Sequence, residues 1–219
     1  MQTMQSKKNH WLLANALVLL LAGCSNLPSP PQTVVRYDLG NAPAAAASSL
    51  ALPPIALAQM QAPLQIDGST GLHYRLDYAD KQVLYTYGQA RWSVPPPQLV
   101  QQRLREYLGQ GGRVVLSAEP GDVPPAVQGR QVPVLRLSLE EFSQVFTSPQ
   151  DNAGWVRVRA TLVDPAPQGD VLLAQQVFEV RQPSSAANAS GGVQALVQGL
   201  DVVGQQMRQW LQTVLPVQR

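Results

Sequence analysis

The side chains that commonly perform catalysis or bind metals are few in this sequence. Only one of its two histidines, His73, lies outside the first 23 residues, and Cys24 is the single cysteine. A Ser-His-Asp triad would have to use His73, and no Gly-x-Ser-x-Gly motif occurs in the chain. One histidine and one thiol also cannot supply the usual ligand sets of transition metals. We therefore predict that the protein has no catalytic residues and no metal-binding residues.

Two weaker candidates for acid–base chemistry are His73 and the adjacent pair Glu140 and Glu141. His73 lies in an alternating stretch that is typical of a strand, so we interpret it as a surface strand residue in preference to a catalytic base. Glu140 and Glu141 are adjacent and could form a paired-carboxylate site, but a solvated strand end is the simpler interpretation. The sequence therefore predicts that the protein is not an enzyme.

The N-terminal segment has the pattern of a secretory leader. Lys7 and Lys8 precede an apolar run at residues 11–21, which is shorter than the roughly 20 residues of a membrane-spanning helix. The motif Leu-Ala-Gly-Cys, which ends at Cys24, follows directly. This motif resembles the lipobox of bacterial lipoproteins, in which the cysteine thiol carries the lipid. The alternative is a plain secretory leader that happens to contain a cysteine.

These signals divide the chain into three predicted regions. Residues 1–23 are predicted to be a signal peptide, residues 24–32 the lipidated Cys24 with a Pro- and Ser-rich tether, and residues 33–219 one domain. By this resemblance Cys24 carries diacylglycerol and an N-acyl chain, each buried CH₂ contributing about 0.8 kcal/mol to anchoring. Ser25 stands where an Asp would resemble the inner-membrane retention signal, so we expect the periplasmic face of the outer membrane. No other cofactor is predicted.

The charge of the chain indicates which partners to expect. Removal of Lys7 and Lys8 with the leader leaves 14 basic residues against 14 acidic ones. A neutral chain offers no electrostatic reason to bind nucleic acid, and we predict that it does not. Charged residues are only 14% of the chain, well below the usual quarter. Such a surface suits packing against other chains, including a homo-oligomer.

Alternation and helical periodicity predict the elements of the domain. Residues 72–78 and 83–87 alternate around a turn, which predicts a hairpin with an aromatic face. Helices are predicted from the triple proline at 95–97 to Gly109 and from about residue 190 to 214. Residues 50–57 contain two prolines and are predicted as an edge strand. Further strands are predicted at 33–39, 113–117, 133–142, 155–163 and 171–181.

The order of these elements predicts an α+β fold. We expect a two-layer sandwich, in which a mixed, mostly antiparallel sheet carries the two main helices on one face. Gly199 and Gly204 lie inside the second helix, where each costs about 1 kcal/mol relative to Ala. We expect them to let the helix backbone approach the sheet closely.

Two groups of residues are candidates for binding a partner. Arg91 and Trp92 precede the triple proline, and Trp and Arg are enriched at the energetic centres of interfaces. The alternative is that Trp92 fills the junction between a strand and a helix while Arg91 pairs with a carboxylate. Arg157 and Arg159 share one face of their predicted strand with Trp155. That face is either a contact surface or only the solvent side of the sheet.

Several short motifs occur in an order that resembles a known family. They are the lipobox, Tyr37-Asp38-Leu39, Leu72-His73-Tyr74-Arg75-Leu76, Tyr85-x-Tyr87-x-x-Ala90-Arg91-Trp92, Phe142-x-x-x-Phe146 and the closing amphipathic helix. In this order the chain is similar to the ABC-type transport auxiliary lipoproteins, the group that includes PqiC. The resemblance covers nearly all of residues 24–219, whereas residues 42–47 and 118–125 do not match it.

The resemblance implies a non-catalytic component of a lipid-transport system. In such a system an inner-membrane ABC transporter or permease works with a periplasmic protein of the MCE type. The lipoprotein would dock that MCE-type protein at the outer membrane, and a ring-shaped homo-oligomer is one form it could take. The alternatives are a carrier domain that encloses a lipid tail, an envelope esterase that uses His73, and an unrelated structural lipoprotein such as a secretion pilot.

Overall fold

Ten strands and two helices make up the part of the chain that the computed structural model describes, which is residues 33–42, 52–63, 69–119, 121, 123 and 125–216. The strands are β1 (Val35–Tyr37), β2 (Ile55–Ala58), β3 (Gly71–Leu76), β4 (Asp80–Trp92), β5 (Val115–Ala118), β6 (Ala126–Val127), β7 (Arg130–Gln131), β8 (Val134–Phe146), β9 (Asn152–Asp164) and β10 (Val171–Pro183). The helices are α1 (Pro96–Gly109) and α2 (Ala189–Val214). The described residues from Val34 onward belong to one compact unit.

Strand β8 is the centre of an eight-stranded sheet. Along one edge it pairs antiparallel with β9, which in turn pairs antiparallel with β10. Along its other edge, the first residues of β8 pair parallel with β2 and its last residues pair parallel with β3. Strand β5 continues the sheet beyond β2, and β4 and β1 continue it beyond β3. Strands β6 and β7 form a separate two-stranded hairpin.

Both helices pack on the same face of this sheet. The β9 residues Val156, Val158, Ala160 and Leu162 are 0% exposed and share a core with Leu196, Leu200 and Val203 of α2 and Val100 and Leu104 of α1. Full burial of such aliphatic side chains contributes about 1.5–3 kcal/mol each. The residues between them on β9 point to the other side, which we call the open face. The predicted two-layer α+β fold with a mixed, mostly antiparallel sheet is confirmed.

Strand β2 differs from its prediction as an edge strand. It lies between β5 and β8, and Ile55, Ala56 and Leu57 are at most 1% exposed. The prolines do not prevent this position because both precede the strand. The first backbone donors of the strand are used, Ile55 N–H bonding Val114 O at 3.0 Å and Ala56 N–H bonding Pro133 O at 2.9 Å. The part of the predicted strand at residues 50–51 lies outside the described residues.

The predicted hairpin with an aromatic face is formed by β3 and β4. The ring of Tyr74 lies 5.2 Å from that of Tyr85 and 4.6 Å from that of Tyr87, between ring centroids. Phe146 of β8 meets Tyr74 edge to face at 6.1 Å. The Tyr87 hydroxyl donates to Gln144 Oε1 at 2.8 Å, which joins the hairpin to the central strand.

Near Gly154 of β9, helix α2 packs on the sheet with almost no space between the two backbones. Its first turn is capped by Asn188, whose side chain accepts from Gly191 N–H at 2.9 Å. A Cβ atom at Gly154 of β9 would lie 2.6 Å from the backbone nitrogen of Leu196. The predicted role of the helix glycines is correct for Gly199, whose added Cβ would meet the side chain of Val156 at 3.3 Å, but Gly204 faces another helix. Its close neighbour is Tyr107 of α1.

Within the described residues, neither helix combines the length and apolar character needed to cross a membrane. Helix α2 has 26 residues, but its polar face carries glutamines and charged residues. Its apolar stripe is instead used on the sheet and on α1.

The Gly154→Ala substitution tests how far the domain depends on this close packing. The added methyl group meets the backbone of α2 and cannot be accommodated by a side-chain rotation, so we expect the free energy of unfolding to fall by about 1–3 kcal/mol. The matched control is Gly88→Ala in β4, where an added Cβ has no neighbour within 4 Å. Urea denaturation of both variants measures the effect, and equal midpoints would contradict the expectation.

Candidate functional site

Trp92, predicted as a possible contact residue, is buried in the core. Its side chain is 0% exposed and its ring centroid lies 5.4 Å from that of Phe142. It shares the core with Val100 and Leu104 of α1, so it fills the junction between β4 and that helix. A ring in this position offers no surface to a partner. The prediction of Trp92 as a partner-binding residue is therefore corrected in favour of the packing alternative.

Among the residues that the structure describes, no carboxylate pairs with Arg91 in the way that the packing alternative predicted. The side chain is half-buried, and its Nη1 donates to the backbone carbonyl of Tyr87 at 3.3 Å. Because Arg91 and Trp92 are consecutive in a strand, their side chains point to opposite faces. The two residues therefore do not form a joint contact site.

Trp155, Arg157 and Arg159 come together on the open face, as their spacing predicted. The Nε of Arg157 donates to Glu140 at 2.8 Å, and the Nε of Arg159 donates to the other oxygen of the same carboxylate at 2.6 Å. Arg157 also reaches Glu179 of β10 at 3.4 Å through Nη1. One carboxylate of β8 thus holds two arginines of β9 in fixed positions.

The indole of Trp155 joins the same network on its β10 side. Its Nε1 donates to Glu179 Oε1 at 3.0 Å. The guanidinium of Arg181 lies over the indole ring, 4.1 Å from its centroid, in a cation–π contact. Neither Glu179 nor Arg181 was predicted from the sequence, because they belong to β10 and meet Trp155 only through the pairing of β9 with β10.

Glu140 and Glu141 lie in the middle of β8, which corrects the prediction of a solvated strand end. The register of β8 against β9 shifts between Leu139 and Glu141, as at a β-bulge. Leu139 and Phe142, on either side, both belong to the core, so the two glutamates both point to the open face. They do not act as a carboxylate pair, since Glu141 binds Arg75 at 3.1 Å while Glu140 binds the arginines of β9.

His73 is a buried residue and not the surface residue that its alternating stretch suggested. It is 8% exposed, and its Nδ1 lies 3.0 Å from the hydroxyl of Thr86. Burial lowers the pKa of His73, and the nearby backbone of Tyr85 and the charge of Glu141 oppose that shift. A neutral ring enclosed in this way is a packing element beside Gly71, where an added Cβ would lie 2.8 Å from the ring.

We call the open-face group the arginine face; it consists of Arg75, Glu140, Glu141, Trp155, Arg157, Arg159, Glu179 and Arg181. Glu140 and Glu141 are 18% and 12% exposed, whereas Arg157 and Arg159 are 37% and 38% exposed. The carboxylates of the central strand therefore lie beneath the guanidinium groups. Because an arginine has five N–H donors, the face retains donors for further acceptors.

A second charged cluster lies between the two helices. Arg103 of α1 is 2% exposed and donates to the carbonyl oxygens of Leu39 and Gly40, the latter at 3.0 Å. Its Nη1 is 3.6 Å from the carboxylate of Asp201 in α2, and burial raises the pKa of Asp201. Burial and the neighbouring Asp201 raise the pKa of Tyr107 to about 12. This cluster fixes the chain after β1 to both helices and is a structural feature.

The Glu140→Ala substitution tests whether the arginine face is a built network. It removes the acceptor of two arginines at a position that is only 18% exposed. We therefore expect the free energy of unfolding to fall by about 1–3 kcal/mol. The control is Asp170→Ala, which breaks the more exposed pair with Arg136 and should cost less than about 1 kcal/mol. Urea midpoints measure both, and equal losses would show that the network adds nothing beyond an exposed ion pair.

Comparison with known proteins identifies the family of the chain. Residues 37–208 match the model of a family described as the ABC-type transport auxiliary lipoprotein component. A crystal structure of a Xanthomonas campestris protein assigned to DUF330 is 19% identical, with a TM-score of 0.62 over 82% of this chain and 96% of that chain. A second crystal structure, of an uncharacterized protein, is 14% identical, with a TM-score of 0.58 over 81% and 98% of the two chains.

Among curated protein sequences, none matches this chain significantly. The two crystal structures have the same fold as this chain. Their sequence identity to it is too low to support a conclusion about function. The family model spans well over half of the chain and includes both helices up to residue 208. The chain therefore belongs to the ABC-type transport auxiliary lipoprotein family.

Proposed function

We propose that this protein is a non-catalytic, lipid-anchored component of an intermembrane lipid-transport system, which docks the MCE-type periplasmic protein of that system. In this proposal Cys24 carries the lipid and the domain lies on the periplasmic side of the outer membrane. Membership of a transport auxiliary lipoprotein family supports the coarse role. The leader, Cys24 and the tether lie outside the described residues, so the anchoring rests on the sequence.

The observation that carries the docking role is the arginine face, which none of the described helices or strands covers. The helices occupy the other side of the sheet, and the long strands β9 and β10 present partly exposed arginines to solvent. Arg157 and Arg159 are held in place by Glu140, so little side-chain freedom is lost when a partner binds. Trp155 and the arginines are residue types that concentrate binding energy at interfaces.

The packing of the domain favours docking over the alternative of a lipid carrier. A carrier of a lipid tail requires an enclosed apolar chamber. The space between sheet and helices is instead filled by side chains such as Leu137, Val158 and Leu200, which are at most 2% exposed. A groove of about 440 Å³ lies at the ends of β2 and β8, where Glu119, Arg136 and Asp170 contribute polar groups to its lining.

Substitution of two arginines tests the docking role. In the full-length chain, Arg157→Gln with Arg159→Gln removes two exposed charges and should lower recovery of the cognate MCE-domain protein in a pull-down by about tenfold or more, because fixed donors are lost from the contact. The matched control is Arg36→Gln on β1, an exposed arginine near the opposite edge of the sheet. Thermal unfolding verifies that both variants remain folded.

Three outcomes separate the alternatives for this domain. Equal recovery by both variants would place the docking surface elsewhere. If the wild type recovers only further copies of its own chain, homo-oligomer formation would replace docking as the role of the face. If it recovers no protein and instead co-purifies with lipid, the carrier function would take the place of the docking function.

A pair of substitutions at the lipobox tests the anchoring. Cys24→Ser removes the nucleophilic thiol, so we expect loss of labelling by radioactive palmitate and loss of the protein from the membrane fraction. Ser25→Asp keeps the thiol and should retain labelling while moving the protein to the inner-membrane fraction. Persistent palmitate labelling of Cys24→Ser would contradict lipidation at this cysteine, and an outer-membrane location of Ser25→Asp would contradict the sorting signal.

A further inference from the structure

The outer edge of β10 is a long strand edge without a partner among the described residues. Strand β10 spans Val171–Pro183, 13 residues, and its pairing within the described part of the chain is with β9 on one side. Most of its side chains are exposed, including those at its first three positions. Soluble proteins usually protect such edges by shortening them or covering them, because a free edge pairs readily with other chains.

The exposed edge carries an apolar group at its start. Val171, Leu172 and Leu173 are 55%, 60% and 45% exposed. A bulge lies between Leu172 and Ala174, and the register with β9 is regular from Ala174 to Pro183. The edge therefore combines a regular stretch that can accept a strand with three consecutive aliphatic side chains that a folded monomer leaves in water.

We propose that the free edge of β10 binds an extended segment of the MCE-type partner as an added strand. This inference rests on the proposed docking function and names the element that makes the contact. A strand edge presents alternating N–H and C=O groups along its length, and the partner that satisfies such a row is another extended backbone. A segment that runs along residues 171–182 would contribute about twelve residues over roughly 40 Å, and its pairing would be regular along residues 175–182, beyond the bulge.

The charges beside the edge predict what the added segment carries. Charge alternates across the open face from Glu140 in β8 to Arg157 in β9 and Glu179 in β10. Glu179 already accepts from Trp155 and Arg157. Arg181 is 47% exposed and lies 3.9 Å from Glu179, a distance too long for a hydrogen bond, so its guanidinium retains donors for a further acceptor.

The two ends of the partner segment are therefore expected to differ in character. A carboxylate on the added strand fits beside Arg181, because opposite charges on neighbouring strands attract and a bidentate pair fixes the register. About nine residues away, apolar side chains fit against Val171 and Leu172, which would be removed from water on binding. An extended segment with aliphatic residues at one end and an acidic residue at the other meets both requirements.

Photocrosslinking of the full-length chain with the purified cognate MCE-domain protein tests this contact. A photoreactive benzoyl-phenylalanine is placed at Leu172 or Gln176 on the edge, and at Val35 of β1 as a control with similar exposure. We expect crosslinks from positions 172 and 176 to map to one continuous segment of the MCE-domain protein, and none from position 35. Crosslinks from 172 and 176 to a second copy of this chain would overturn the proposal.

Introduction of negative charge at the edge supplies an independent measurement. Leu172→Glu and Arg181→Glu should each lower recovery of the MCE-domain protein by about tenfold, whereas Val35→Glu should leave it unchanged. Both edge residues are largely exposed, so the fold should be retained, and circular dichroism verifies this. If both edge variants recover as much MCE-domain protein as the wild type, the edge contact is rejected and the docking function is retained. No recovery by the wild type would reject both.

Discussion

The contact between helix α2 and strand β9 is the constraint on which the rest of the structure depends. At Gly154 the two backbones touch, because the position opposite the turn at Leu196 carries no side chain. Gly192 similarly admits the amide of Gln144, whose Nε2 donates to Asn152 at 2.5 Å. At Gly154 this packing leaves no side chain between helix and sheet, so the position of α2 is fixed there by backbone shape and along the rest of the helix by apolar burial.

The same contact determines which side of the sheet is available to partners. With α2 and α1 on one face, the alternation of β9 sends its apolar residues to the helices and its charged residues to the open face. The bulge in β8 then adds a second glutamate to that face, so that Glu140 and Glu141 hold arginines from both neighbouring strands. A feature of backbone register, and not an excess of charge, thus creates the arginine face.

Local patterns in the sequence predicted the elements whose periodicity is set by one packed face. The stripe of α2, the alternation of β9 and the aromatic hairpin are of this kind. The interior position of β2 was not predictable, because strand neighbours are chosen by long-range pairing and prolines before a strand leave its donors intact. The predictions for Trp92, His73 and Glu140 were wrong for a related reason. Whether a residue is buried depends on elements that are distant in sequence.

The arginine face also indicates how a docked complex would form. Four arginines and three glutamates leave it nearly neutral, so long-range electrostatic steering of a partner is weak. Under the proposed anchoring, the tether at residues 24–32 would instead confine the domain within roughly 20–30 Å of the membrane. Confinement raises the effective concentration of both partners at that surface without any additional contact. In the proposed complex, arginines already fixed by glutamates and a strand edge available for pairing would reduce the conformational entropy lost on binding.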